Sequence, residues 1–378
     1  MKVRGKVPMQ EDNSGGMNRR AVLKVASAGI ATALVGTALS AKPRLIIQPV
    51  DELALQIVID AATFGPFLPN QTLPGLRVER IGGGGGPRML RKSLMAEFGL
   101  SVLGRSRRGS ETRHVMVDFG YSPEVLSNNM ALLGIEPDSL DAAVLSHGHL
   151  DHYGGFSGLF RGKREEGRKL PLIVGGEEAF CERVAMIGNP PPVMGMLDRA
   201  ELARAGFQTR IEPDPFMIAG HAFTTGVIPL QGFERAAIPT QMRPGVGCKL
   251  SELSPNKRAA TQLEDDGEHE LATCYVVKNL GLVVIASCSH RGVLNSVRRA
   301  QAVSGISKVH AVVGGFHLVR PRTEDEARRT VAEFAQINPT YIVPMHCTGE
   351  VFIAEALQRM PEKVIRPYVG NRFVFGTA

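Results

Sequence analysis

The stretch Asp141–Gly155, DAAVLSHGHLDHYGG, constrains this chain more than any other. Its first five residues read as a short buried strand, and His147, His149, Asp151 and His152 follow within six positions. On extended backbone His147 and His149, two residues apart, project the same way. Asp151 and His152 come next, on the turn into a helix, where Gly154 and Gly155 permit close backbone approach. Two imidazoles from one segment and a carboxylate–imidazole pair from the next can face two adjacent cations. Neutral imidazole and carboxylate suit zinc and related divalent ions. A single H-x-H reads as a polar turn, whereas H-x-H-x-D-H at a strand end reads as a metal site.

Strand and helix signals alternate from Val50 to Phe375 with no internal repeat. Leu53–Asp60 alternates like a strand, Gly99–Ser106 begins another, and His114–Gly120 is a short β-branched run stopping at glycine. A helix is expected over Pro123–Leu133. Further strands are expected in 170–176, 308–315 and 340–346, and CYVVKNLGLVVIAS reads as a hairpin turning at Asn279–Gly281. EDEARRTVAEFAQI and VFIAEALQRM carry apolar residues at helical spacing. Gly82–Gly86 lacks the strand-to-helix context of a phosphate cradle and reads as a loop. Residues 188–266, rich in Pro, Gly and charge, read as an insertion or cover over one face.

The formal charge of +7 suggests a polyanion partner only until it is located. Residues 1–41 carry six Lys and Arg against Glu11 and Asp12, a net of +4, which leaves +3 for the remainder. No nucleic-acid partner is expected, and the absence of Trp with only 6% aromatics argues against base-stacking surfaces. The sequence MNRRAVLKVASAGIATALVGTALSA pairs Arg19 with Arg20 and then has no charge from Val25 to Ala41. It resembles a twin-arginine export signal with cleavage near Ser40 or Ala41, and Met17 is an alternative start. The uncharged run of 17 residues, interrupted by Gly29 and Gly36, is marginal for a membrane span. The expectation is a soluble mature domain from residue 42 to 378, carried by the twin-arginine machinery to the periplasm or beyond. That route carries folded proteins, often with metal already inserted. Five cysteines with no C-x-x-C spacing argue against a disulfide framework even there, and point to thiols that are buried or metal-bound.

Gly99–Ser101, Val117–Gly120, His147–His152, Cys288-Ser289-His290, Gly314–Leu318 and His346–Gly349 stand in an order that resembles the metallo-β-lactamase superfamily. More narrowly they are similar to the branch that includes dihydropterin-methyl-ribofuranosylaminobenzene phosphate synthases. The resemblance runs from about Asp51 to the C-terminus and implies an α/β fold, the four-layer αββα sandwich, with one or two divalent ions at one edge of the paired sheets. Zinc is the first expectation, manganese or iron the alternatives. It also implies that His290 and His346, each at the end of an apolar run, join His147, His149, Asp151 and His152 as ligands. Many members bridge their metals with an Asp near the hairpin end; here Cys288 stands near that position as the candidate bridge. Asp118 is the expected acceptor that orients an imidazole N–H. His317 is either a ligand or a proton donor, while His269 and His221 read as surface or core residues.

The expected chemistry is hydrolysis of a small-molecule ester, lactone or phosphoester by metal-activated water, with Asp151 holding the nucleophile and His317 protonating the leaving group. The alternative is a pterin-linked transferase, whose cytoplasmic substrate an exported protein would seldom meet. A third is a non-catalytic metal-binding or redox protein. Flavodiiron relatives carry Glu where this chain has His149, and no segment remains here for a flavin domain.

Overall fold

The computed structural model describes residues 45–63, 68–81, 93–160 and 168–376. The export segment 1–41 and the glycine run Gly82–Gly86 lie outside the described residues.

Two sheets face one another. The larger has nine strands in the order Phe207–Ile211, Leu170–Val174, Ala142–Leu145, Glu111–Val117, Ser101–Arg108, Glu52–Ile59, Asn371–Gly376, Leu76–Arg80 and Gln71–Leu73. The first four run parallel to one another, and every pairing from Glu111–Val117 with Ser101–Arg108 onward is antiparallel. The smaller has six: Met217–Ile218, Ala222–Thr224, Thr273–Val277, Gly281–Ile285, Val309–Gly315 and Tyr341–Met345. The expected hairpin is present, with Val277 opposite Gly281 and left-handed backbone at Asn279. Its partner strands Val309–Gly315 and Tyr341–Met345 add in parallel.

Alternation of side chains gives each sheet an inner and an outer face. Leu53, Leu55, Val102, Val115 and Val144 of the larger sheet share one buried cluster with Tyr275, Val283, Val313 and Val343 of the smaller. Leu126 and Met130 of the helix Pro123–Leu133 pack on the outer face of the larger sheet. Three helices, Val293–Ser304, Glu324–Ile337 and Glu350–Arg359, cover the outer face of the smaller. The result is four layers, αββα. Glu324–Ile337 begins on a capping box in which Thr323 Oγ1 accepts from the Glu326 amide and the Glu326 carboxylate accepts from the Thr323 amide. It ends at Asn338 in the left-handed conformation. Its Phe334 packs with Phe316 and Phe352 at centroid distances of 5.8 and 5.9 Å.

Residues 188–266 distribute among three sheets. Phe207–Ile211 extends the larger sheet, Met217–Ile218 and Ala222–Thr224 the smaller, and Thr240–Arg243 joins a separate four-stranded sheet with Glu182–Ala185, Val193–Gly195 and Leu263–Glu264. Against the expectation from cysteine number and spacing, one disulfide forms. Cys181 and Cys248 form a disulfide, with Cα atoms 4.6 Å apart across a sequence separation of 67. Their pairing depends on how this small sheet folds back and leaves no trace in local spacing. Cys274, Cys288 and Cys347 are free and buried. Among the described residues no helix is long and apolar enough to cross a membrane.

Candidate metal centre

The strand Ala142–Leu145 is fully buried, and its continuation Ser146–His149 leaves the sheet at the edge where Gly281–Ile285, Val309–Gly315 and Tyr341–Met345 also end. The structure thus gathers His147, His149, Asp151, His152, His290 and His346, which span almost two hundred positions of sequence. They fall into two sets. His147, His149 and His290 offer ligand atoms within 4.8 Å of one another, and so do Asp151, His152 and His346. Cys288 forms such a set with His147 and His152, one member of each, and another with His317 and Cys347.

Four of the five imidazoles are oriented through one nitrogen. His147 Nδ1 lies 3.0 Å from Ser146 Oγ, His152 Nδ1 2.8 Å from Asp118 Oδ2, and His290 Nδ1 3.1 Å from the carbonyl of Ala237. The Nε2 atoms of all three are buried without a hydrogen-bond partner. His149 is held the other way round, with Nε2 3.0 Å from Thr240 Oγ1, which leaves Nδ1 as the nitrogen available to a cation. His346 Nε2 lies 3.1 Å from Asp151 Oδ2 without hydrogen-bond alignment. Leaving a buried polar atom unsatisfied costs about 1–3 kcal/mol. Several such atoms converging on one point, beside a carboxylate, fit one or two divalent cations.

Electrostatics prepare the donors. Burial drives the protonation of His147 and His290 well below the usual imidazole range, helped by the neighbouring imidazoles. Burial brings His149 down to about 3, against the pull of Asp265 and Asp151. These rings are neutral at pH 7, as ligands must be. Burial opposes ionisation of Asp151, but His152, His346 and His149 outweigh it and hold the carboxyl well below its ordinary range.

Four left-handed non-glycine residues stand at this edge: Asp118, Ser289, His317 and His346, with φ of 58°, 62°, 41° and 46°. Such backbone costs on the order of 1–3 kcal/mol per residue and persists where surroundings over-determine it. Asp118 accepts from the Ser146 amide and hydroxyl, both at 2.7 Å, besides facing His152. Ser289 Oγ donates to the Gly315 carbonyl at 2.8 Å. The His346 amide donates to Asp60 Oδ1 at 2.8 Å.

Asp60 was not singled out from the sequence. It closes the strand-like run Leu53–Asp60, and burial pushes its carboxyl up to about 6. Its only signal was a lone carboxylate at a strand end. Thr240 was missed as well. His269, read as surface or core, is buried, and its Nε2 accepts the Gly148 amide at 3.0 Å, between the candidate ligands His147 and His149. Behind it, buried Arg183 pairs with Asp265 at 2.9 Å. A side chain at Gly148 would come within 2.8 Å of the Arg183 guanidinium, so the turn requires glycine there. His221 lies away from the centre, 2.9 Å from Ser106 Oγ.

A cavity of about 130 Å³ opens on the two sets. Phe98, Leu150, Tyr153, Met194 and Pro239 form its apolar wall, and His317 and Cys347 line it with the ligands. His317 packs 4.3 Å from the His290 ring, and its Nε2 is buried without a hydrogen-bond partner. A larger cavity of about 420 Å³ shares Phe98, His317, His346 and Cys347 with it.

Residues 102–165, which include the H-x-H-x-D-H turn, match the sequence profile of the Metallo-beta-lactamase superfamily. The chain is 29% identical over 258 residues to 7,8-dihydropterin-6-methyl-4-(beta-D-ribofuranosyl)-aminobenzene-5'-phosphate synthase of Methanocaldococcus jannaschii, a match covering 67% of this chain and 82% of that one. It is 25% identical to an uncharacterised protein of the same organism, covering 75% of this chain and 93% of the other. In three dimensions it resembles the crystal structure of a metal-dependent hydrolase of the beta-lactamase superfamily, with a TM-score of 0.60 and 22% identity over 85% of this chain and 98% of that one. Layer order, sheet topology and profile agree: this chain has the metallo-β-lactamase fold, and its H-x-H-x-D-H turn lies within the segment that matches that superfamily.

Proposed function

We propose that this protein is a metal-dependent hydrolase acting on a small-molecule ester, lactone or phosphoester. The observation that carries the reading is the pair of donor sets, one all imidazole and one bearing Asp151, opening on a single cavity whose other face is apolar. His147, His149 and His290 would hold one cation, Asp151, His152 and His346 the second, with Cys288 as the bridge. Zinc suits this donor set, and manganese or iron are the alternatives. When bound, such a cation polarises a substrate oxygen and lowers the pKa of a coordinated water toward about 7.

The protein's own groups do the rest. Asp118 and Ser146 fix the tautomers of His152 and His147, so that Nε2 of each stays a lone-pair donor. Ionised Asp151 accepts a hydrogen bond from the attacking water and orients it. His317, whose Nε2 has no other partner in the cavity wall, donates a proton to the leaving oxygen, a role typically worth ~10²- to 10⁴-fold. The apolar wall excludes bulk water from the substrate's body.

A second reading, transfer rather than hydrolysis, is favoured by one observation, the match to the archaeal synthase across two thirds of the chain. A labelled-water experiment separates them. The zinc-loaded chain is expected to hydrolyse a member of a panel of phosphodiesters, lactones and thioesters with no second organic substrate, incorporating oxygen from labelled water. Turnover of a pterin diphosphate with an aminobenzene acceptor, with no hydrolysis across the panel, would establish the transferase instead. The same proposal places the mature enzyme outside the cytoplasm after twin-arginine export, a location the Cys181–Cys248 disulfide suits.

A further inference from the structure

Cys347 has no part in the reading above, yet its sulfur lies 3.1 Å from that of Cys288. The approach is built by the fold. Cys288 follows the end of the strand Gly281–Ile285 and Cys347 the end of Tyr341–Met345, and Val309–Gly315 runs between those two strands, paired with both. The two sulfurs therefore meet across the end of the middle strand. Gly315 makes this possible: a Cβ there would sit 2.8 Å from Cys347 Sγ and 2.6 Å from the Ser287 carbonyl. The Gly315 amide donates to the Ser287 carbonyl at 3.0 Å, and Ser289 Oγ donates to the Gly315 carbonyl, which ties the Cys288 turn down over the glycine. A disulfide needs a sulfur separation near 2.05 Å, so closure asks for a movement of about 1 Å between side chains that already face each other. Both sulfurs line the cavity of the metal centre, which gives a small oxidant its path. Cys274, the third free cysteine, lines neither cavity at the centre.

We propose that Cys288 and Cys347 are an oxidisable dithiol whose closure to a disulfide withdraws Cys288 from the metal centre. This rests on the reading of Cys288 as the sulfur between the two donor sets. The chemistry balances with a peroxide or a small organic disulfide as oxidant. The two thiols lose two protons and two electrons and form one S–S bond, while hydrogen peroxide becomes two waters or the organic disulfide becomes two thiols. A sulfur held in a disulfide offers no thiolate to a cation. Oxidation therefore leaves the centre with its imidazoles and Asp151 alone, and reduction restores the bridge.

The test uses the folded, zinc-loaded chain exposed to hydrogen peroxide and, separately, to oxidised glutathione. Three measurements follow: free thiols counted after denaturation, a non-reduced peptide map, and zinc captured by a chromogenic chelator. The expected result is a fall from three thiols to one, a Cys288–Cys347 cross-linked peptide, and release of zinc that dithiothreitol with added zinc reverses. Cys347→Ser and Cys347→Ala are expected to load with zinc, form no cross-link and keep their metal through the same treatment. The proposal is overturned by three surviving thiols, by oxidation of one cysteine to sulfinic acid without a cross-link, or by a cross-linked chain that keeps all its zinc. Zinc loss from both Cys347 variants equal to that of the parent also overturns it. A reduced parent chain that binds no zinc defeats the metal reading instead, and the peptide map then decides the dithiol by itself.

Discussion

Replacing Asp118 by Asn should weaken one metal position and spare the other. The side chain is fully buried, and its oxygens accept from the Ser146 amide and hydroxyl and face His152 Nδ1 at 2.7, 2.7 and 2.8 Å. Asn has nearly the same shape but turns one acceptor into a donor. If its amide nitrogen faces His152, an N–H opposes the Nδ1–H. The ring can relieve that only by moving its proton to Nε2, the atom that should bind metal. If the amide is turned over, it opposes the Ser146 N–H instead and pulls on the turn holding His147. Loss of an orienting partner of this kind typically costs 10- to 100-fold in metal affinity, or about 1.4–2.7 kcal/mol. His149 and His290 are oriented by Thr240 and Ala237, independently of Asp118. Calorimetric titration of the metal-free chain with zinc, paired with cobalt absorption spectra, is expected to show one equivalent bound as before and one weakened by that factor. Two equivalents at parental affinity would refute the argument that Asp118 sets the His152 tautomer. Loss of both, with loss of the thermal unfolding transition, would show that it acts as a packing residue.

Four further outcomes are expected. His147→Ala and His149→Ala should each reduce bound metal, read by elemental analysis, and abolish metal-dependent turnover. Removing the Cys181–Cys248 disulfide by double substitution with Ser should cost about 2–5 kcal/mol in chemical denaturation, because it frees a long loop in the unfolded chain. Burial raises the Glu234 carboxyl from 4.5 to about 7 despite hydrogen bonds from the Leu294 and Asn295 amides. A raised folded pKa means that the folded state holds the proton more tightly, so stability falls as pH rises from about 4.5 to 7, by about 3 kcal/mol in all; Glu234→Gln should flatten that decline in pH-dependent unfolding curves. Replacing Arg19 and Arg20 by Lys should retain the protein in the cytoplasm, since the guanidinium pair and not mere positive charge is read; fractionation showing normal export would refute the signal.

What the sequence determined by itself is local. The helices Pro123–Leu133 and Glu324–Ile337 declare themselves through periodicity and caps, the hairpin at Asn279 through its turn residues, and the H-x-H-x-D-H turn through four donors in six positions. His290 and His346 were legible only because each ends an apolar run in a familiar order. The tertiary structure decided everything that depends on residues distant in the chain. It paired Glu52 with Gly376 to close the centre of the larger sheet, and it brought Cys181 to Cys248. It divided the candidate donors into two sets, set Thr240 against the His149 ring and His269 and Asp60 against the Gly148 and His346 amides, and placed Cys288 against Cys347. Thr240, His269, Asp60 and the Cys181–Cys248 pair stand in no local pattern, because a hydrogen bond or sulfur contact needs only proximity in space. A strand end supplies that proximity through pairing, which leaves no mark on the residues beside it.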